Sequence, residues 1–273
     1  LVGPRILNGS QWGLLDPIDT PDGGNIGLHK QLSIMTYVTR HVSRDLMVKW
    51  LFQNTEIKTL DNCTPAVLSI FTKVFVNGYW AGSVKEAEQV VSEIKFARRT
   101  GLIPTYISTC FDIPQNTIMI FTDGGRLCRP IFYRDDEQMS YMRINQIKSM
   151  VWDNLIYGFA EKRKEIERKF DGFYKPEDLY GVKIGALENK KAVLEYLDSN
   201  EEESSLIAFK PETKLLRKYT HCEIHESLIF GMMCNLIIYP HHNPATRNSF
   251  SCGQSKQAVS LYHTNYNMRM DKT

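Results

Sequence analysis

The sequence predicts an α+β chain of several small mixed domains. Three observations carry that expectation. Val74-Phe75-Val76-Asn77-Gly78-Tyr79-Trp80 is a hairpin signature, because Asn-Gly supplies the positive φ angles of a type I′ turn. Ala87, Val90, Val91, Ile94 and Ala97 recur at helical spacing, so residues 84–99 are expected to form a helix with Val90, Val91 and Ile94 buried. Ile118-Met119-Ile120-Phe121 and Leu127 to Tyr133 flank Thr122-Asp123-Gly124-Gly125, a second strand–turn–strand pattern in which Gly124 joins antiparallel strands.

The elements follow in chain order. Asp16-Pro17-Ile18-Asp19-Thr20-Pro21-Asp22-Gly23-Gly24-Asn25-Ile26-Gly27-Leu28 is too rich in proline and glycine for a helix interior and reads as a tightly turned, rigid loop. Ser83-Val84-Lys85-Glu86 reads as a capping box opening the helix, and Gly101 closes it. In Glu161-Lys162-Arg163-Lys164-Glu165-Ile166-Glu167-Arg168-Lys169, opposite charges three and four residues apart suit an exposed helix. His221 and His225 stand four apart, which would place them on one helical face, but the intervening glutamate is misplaced for a zinc motif and no third ligand follows. A structural role is expected for both.

The segment that carries chemistry comes last. His242-Asn243-Pro244-Ala245-Thr246-Arg247-Asn248, then Lys256-Gln257-Ala258, follows the apolar run Ile229 to Tyr239. Arg247 offers a planar fork of donors that matches two phosphate oxygens, whereas Lys256 supplies a point charge. The segment is therefore a candidate phosphate contact on an anchored platform.

Composition sets limits on this reading. Hydrophobic residues make up 42% of the 273 positions and charged residues 23%, which allows packed cores and argues against wholesale disorder. The formal charge is +2, so attraction to nucleic acid must come from local clusters. Cys63, Cys110, Cys128, Cys222, Cys234 and Cys252 form no C-x-x-C pair; reduced thiols of an intracellular protein are expected. No apolar run reaches the ~20 residues that span a bilayer, so no membrane partner is expected. The start, Leu-Val-Gly-Pro-Arg, has neither an initiator Met nor a signal-peptide core, and the chain is expected to be a piece of a longer protein.

Arg247-Asn248-Ser249-Phe250 through Lys256-Gln257-Ala258, with Thr264-Asn265-Tyr266 and Arg269-Met270-Asp271, resembles the start of the hybrid-binding region of the second-largest subunit of multisubunit RNA polymerases. Trp12-Gly13 and the loop from Asp16 to Leu28 resemble a motif of that family's fork, with Asp19 and Asp22 where the family carries Glu. Asn77, Gly78, Trp80 and Gly82, then Arg98, Arg99, Gly101 and Ile103, then Asp123, Gly125, Arg126, Arg129 and Pro130 resemble its first external domain. Trp152 to Gly158 and Leu194 to Asp198 followed by Glu201-Glu202-Glu203 resemble two pieces of the second, separated here by an insertion at 159–190.

The resemblance implies five segments: fork, first part, 1–47; external domain 1, 48–137; external domain 2, 138–210; fork, second part, 211–239; and the start of the hybrid-binding region, 240–273. The two external domains, β-rich, would be inserted into a split fork, and the hybrid-binding segment would be truncated. It also implies template-directed RNA synthesis from nucleoside triphosphates, with Arg247 at the triphosphate, Lys256, Gln257, Asn243 and Asn248 near RNA and hybrid, and Asp19, Asp22, Gly23 and Asn25 in the fork loop. The catalytic Mg²⁺ of the whole enzyme would be held outside this segment, which supplies no catalytic or metal-binding residue. Implied partners are the largest subunit, the other polymerase subunits, DNA template and RNA transcript. Pro244-Ala245-Thr246, where the family has Gln-Ser-Pro, suggests a large-DNA-virus branch, placing the protein in host cytoplasm, viral factory or virion; a cellular eukaryotic branch would place it in the nucleus. Two other readings are a docking piece without catalytic contacts and a stand-alone nucleic-acid binder.

Overall fold

A computed structural model of the chain describes residues 1–135, 138–146, 151–159, 172–181, 187–210 and 218–258. They fall into two compact units, Leu1–Thr36 with Ser227–Thr273, and Tyr37–Glu226. The charge-rich run 161–169 and the motifs at 264–266 and 269–271 lie outside the described residues.

The larger unit is mixed α and β, as the sequence predicts, and is built on two sheets. In the first, the order is β2 (Lys58–Thr59), β4 (Tyr79–Val84), β3 (Thr72–Val76), β6 (Thr117–Phe121) and β5 (Ser108–Asp112), antiparallel except for the parallel pair β3 and β6. Asn77 (φ 48°) and Gly78 (φ 77°) form the expected tight turn between β3 and β4. The Asn77 side chain also accepts from the Thr122 N–H at 2.8 Å and so fastens the hairpin to the end of β6. The second sheet is organised on β7 (Leu127–Asp135), which pairs with β1 (Tyr37–Val38), β8 (Gln138–Met139), β9 (Leu194–Asp198) and β11 (His221–Cys222); β10 (Ile207–Ala208) lies parallel to β11.

Two local expectations are corrected. The turn containing Gly124 does not join an antiparallel pair, because β6 and β7 belong to different sheets; Thr39 anchors the turn instead, through its carbonyl to Gly125 N–H at 2.9 Å. The capping box does not form. Ser83 and Val84 continue β4, where pairing with Lys73 and Thr72 satisfies the backbone, and the helix α3 (Ala87–Arg99) begins after Glu86 with no side-chain cap. Strand pairing outcompetes a cap that would satisfy a single donor.

α3 packs Val90, Ile94 and Ala97 into the core, and Val91 is only half-buried. The same cluster holds Met47 and Leu51 of α1 (Arg44–Asn54), Val74, Val76, Ile118 and Ile120 of the first sheet, and Tyr174, Leu179 and Leu187. Described parts of the 159–190 insertion therefore contribute core side chains. Residues expected as two external domains share one apolar cluster.

The buried phase of α3 ends in a charge. Arg98 is 1% exposed, and its guanidinium donates to both Glu201 oxygens (2.7 and 2.8 Å), to Glu195 (3.1 Å) and to the Ile107 carbonyl (3.0 Å). Arg99 forks onto the two Glu195 oxygens at 2.9 and 3.1 Å, and His221 Nε2 lies 2.7 Å from the same carboxylate. His221 is thus a buried strand residue on β11, so its spacing to His225 does not describe a helical face. Arg126 reaches Asp198 at 2.9 Å, and Arg129 reaches Glu223 at 2.6 Å and Glu202 at 2.7 Å. Burial alone would raise the Glu195 carboxyl, but Arg99 and Arg98, with the His221 hydrogen bond, outweigh it and hold the group well below the usual carboxylate range.

Glu195→Gln should destabilise the chain by about 3–5 kcal/mol, because it leaves two guanidiniums undercompensated in a buried site. The folded value of Glu195 is depressed, so its contribution is fully present above the unfolded value of about 4.3 and is lost as pH falls through the folded value. Melting curves of wild type and variant should therefore be far apart at pH 7 and converge below about pH 4. A gap that does not change with pH would assign the loss to packing.

Candidate nucleic-acid interface

All nine candidate residues lie in the smaller unit, whose described residues include few buried apolar side chains (Leu14, Ile229, Cys234 and Cys252) and rely on polar contacts to the main chain. Ser33 Oγ donates to the Ile229 carbonyl at 2.8 Å, and the Ile34 N–H to the Phe230 carbonyl at 3.0 Å. Asp16 is the main anchor. One of its oxygens accepts from Gly231 N–H at 2.6 Å, and the other accepts from the Ile18 and Asp19 N–H groups at 2.9 and 3.3 Å. Chain segments 215 residues apart are joined there by a buried, charge-assisted bond.

The loop carrying Asp22, Gly23 and Asn25 is solvent-exposed but braced. Arg5 donates to the carbonyls of Gly24 and Ile26 at 2.8 and 3.0 Å, and Thr20 Oγ1 accepts from Gly27 N–H at 2.8 Å. Gly27 has φ 73°, and a Cβ there would stand 2.3 Å from the Arg5 carbonyl oxygen, so only glycine fits. Asp22 accepts from Gly23 N–H and shapes its own turn.

The Arg247 segment is a helix, Ala245–Gln257, preceded by the short helix Met232–Asn235. Pro244, with φ −61°, sets its entry, and its carbonyl accepts from the Arg247 and Asn248 N–H groups. Asn248 and Cys252 stand four apart and form the buried stripe, while Arg247, Phe250, Lys256 and Gln257 face solvent. Arg247 makes no ion pair among the described residues and lies 5.5 Å from the centre of the Phe250 ring. A planar cation supported over an aromatic face is suited to meet phosphate.

The other candidates have different surroundings. Lys256 Nζ is bonded to Asp19 Oδ1 at 2.7 Å, which brings together two candidates 237 residues apart, with Asp19 nearly buried. Ser249 Oγ donates to the Ile18 carbonyl at 2.7 Å and fixes the same helix to the loop. Asn248 is 2% exposed and donates to the Pro240 carbonyl at 2.8 Å, so it anchors the turn before the helix and does not reach the surface as a donor. Asn243 and Gln257 are exposed. Sequence reading missed Asp16 as the clamp, because its partner Gly231 becomes visible only when the chain closes on itself. Burial raises the Cys234 thiol to about 12 and lifts Cys252 as well, so both stay protonated at neutral pH.

Elsewhere, a cavity of about 600 Å³ in the larger unit is lined by Trp50, Phe96, Lys95, Arg99 and Lys191, among others. Three of its cations are committed: Arg99 to Glu195, Lys191 to Asp135 at 3.0 Å, and Lys95 within 3.6 Å of Glu201. Among the described residues no group of three or more His, Cys, Asp or Glu could hold a metal ion. No described helix is long and apolar enough to cross a membrane.

Comparison with known proteins matches residues 2–38 to RNA polymerase Rpb2, domain 3, and residues 74–135 to RNA polymerase Rpb2, domain 4. Nearly the whole chain aligns with second subunits of eukaryotic polymerases. It is 31% identical to DNA-directed RNA polymerase II subunit 2 of Arabidopsis thaliana, over 99% of the chain and 22% of that protein. It is 31% identical to subunit RPB2 of polymerase II from Schizosaccharomyces pombe, over 99% and 24%. It is 34% identical to subunit RPC2 of polymerase III from Drosophila melanogaster, over 98% and 21%. The chain belongs to the family of second-largest subunits of multisubunit RNA polymerases, and it spans between a fifth and a quarter of the length of these relatives. These relatives are cellular eukaryotic proteins and lend no support to the viral branch read from Pro244-Ala245-Thr246.

A double-mutant cycle on Asp19 and Lys256 should give a coupling of about 0.2–1 kcal/mol, the range of a partly exposed pair, from thermal or urea unfolding. Gly27→Ala should lower stability by more than ~1 kcal/mol, because a Cβ at this positive φ is strained and meets the Arg5 backbone. Proteolytic nicking within residues 22–28 that is no faster in this variant than in wild type would show that the loop can relax around a Cβ.

Proposed function

We propose that the chain is the part of a DNA-dependent RNA polymerase second subunit that shapes the active centre, with Arg247 meeting the triphosphate of the incoming nucleotide. The observation that carries this reading is Arg247 itself, a guanidinium exposed on an anchored helix, without an ion pair among the described residues. A planar fork of donors suits charge developing on transferred phosphate, where preorganised cations lower the barrier. Gln257, Asn243 and one face of Lys256 would approach RNA or hybrid, and Asn248 would hold the turn beneath them. Asp19 would act by positioning Lys256, with Asp22, Gly23 and Asn25 at the loop rim.

In this reading the segments are fork, two external domains, returning fork and the start of a hybrid-binding region, divided near 47, 137, 210 and 239. The partners are the largest subunit, the remaining polymerase subunits, template DNA and transcript, and the site of action is the nucleus, in keeping with the eukaryotic relatives. The enzyme would use Mg²⁺ held by residues elsewhere in the assembly.

In the assembled polymerase, Arg247→Ala should slow nucleotide addition by about one to two orders of magnitude at subsaturating triphosphate, corresponding to roughly 1.5–3 kcal/mol for a charge-assisted contact. Arg247→Lys should recover part of the loss. Unchanged dependence on nucleotide concentration would favour a docking role. The isolated chain should not polymerise and should bind a labelled RNA–DNA hybrid no tighter than about 10⁻⁵ M near physiological salt; salt-resistant nanomolar binding would make it a self-sufficient module.

A further inference from the structure

Three described non-glycine residues have left-handed backbones, and two are asparagines, which tolerate that region. The third is Tyr239, with φ 47° and ψ 59°. A bulky aromatic there is strained, and such strain persists where the surroundings over-determine it. Burial does not compensate for the strain, because Tyr239 is 67% exposed.

The surroundings show what the strained turn presents. Pro240–His242 form one 3-10 turn, which sets the Tyr239 ring 5.4 Å from His242 and 6.1 Å from His241, with the two imidazoles 4.3 Å apart. Both histidines are exposed. The turn is held from behind by the buried Asn248 amide on the Pro240 carbonyl at 2.8 Å, and Asn248 directly follows Arg247. Three flat, exposed rings are therefore held on a turn that the residue next to an exposed guanidinium anchors.

We propose that Tyr239, with His241 and His242, forms a stacking step for an unpaired nucleobase, while Arg247 takes the phosphate attached to that nucleotide or its neighbour. The inference rests on the phosphate reading of Arg247 and extends it to the base. Every base has a π-face, so stacking on such a step tolerates any sequence, and a neighbouring cation supplies the backbone contact. The base belongs either to a single strand or to a nucleoside triphosphate, since the chemistry is shared.

The test uses the 273-residue chain with labelled single-stranded oligonucleotide at low salt, and with 5-iodouridine in the oligonucleotide or as the triphosphate for near-ultraviolet crosslinking. Tyr239→Gly removes the ring while glycine keeps the left-handed turn, and Tyr239→Phe keeps the ring. Tyr239→Gly should weaken binding about tenfold and abolish a crosslink mapping to residue 239; Tyr239→Phe should bind as wild type. An abasic strand should bind wild type and Tyr239→Gly alike. The crosslink should follow the strand if a strand is the source, and the triphosphate if that is. Equal binding of wild type and Tyr239→Gly to both ligands, with crosslinks elsewhere, overturns the stacking step and leaves the aromatic turn as a protein-docking surface. Arg247→Ala separates the two readings. Loss there but not at Tyr239 keeps the phosphate contact and sinks the stack, and the reverse keeps the stack and sinks the phosphate contact.

Discussion

Glu195 sits between two guanidiniums and an imidazole, nearly excluded from solvent, and the larger unit depends on that arrangement. Arg98 and Arg99 arrive from the end of α3, Glu195 from β9, and His221 from β11, so one carboxylate joins a helix to two strands flanking β7. A buried pair of this kind contributes little net stability against an apolar alternative, because desolvation offsets most of the attraction. Its effect is on uniqueness. Sliding β9 by one residue against β7 would turn Glu195 away from both arginines and leave Arg99 and Glu195 itself uncompensated. Asp198 adds a second lock at the end of the same strand, accepting from Arg126, from Ser108 Oγ and from the Glu201 N–H that opens the helix Ser199–Glu203. Register, helix start and helix position are thereby specified by one set of charges.

The smaller unit uses a different economy of contacts. With few buried apolar side chains among its described residues, it is held by side-chain bonds to main-chain groups: Asp16 to Gly231, Ser33 to Ile229, Ser249 to Ile18 and Asn248 to Pro240. Directional bonds fix positions closely without requiring a thick core. Leu236, Ile238, Tyr239 and Phe250 remain exposed, as does Arg247. A surface with that much apolar area beside a cation suits contact with flat, phosphate-bearing ligands or with other protein. Local stability in such a unit is expected to be low, because so few apolar contacts oppose opening.

Local chemistry in the sequence was a sound guide where neighbours in the chain decide the outcome. Asn77-Gly78 turns as its φ preferences require, and Gly101 (φ 71°) ends α3 with the Leu102 N–H returning to the Ala97 carbonyl. It failed where a distant strand competed. Ser83 has the right spacing for a cap, yet β3 offered its whole length a ladder, and Gly124 sits between strands that chose different sheets. The period of α3 also held a clue that was not taken up: Arg98 falls four residues after Ile94, in the buried phase, where a charge must have a partner.

By itself the sequence determined the kinds of element, the turn residues, the resemblance to polymerase second subunits, and Arg247 as a cation set among amide side chains. Those properties depend on residues close together or on motifs read in order. Only the tertiary structure decided that Lys256 is held by Asp19, that Asn248 is buried as an anchor, and that Tyr239 is forced into a left-handed turn beside two histidines. The physical reason is separation. Asp19 and Lys256 are 237 residues apart, and Arg98 and Glu195 are 97 apart. Nothing local in either segment requires the other. Their pairing arises when burial removes water as the alternative partner, and a charge left in a low-dielectric site must then find its counterpart across the fold.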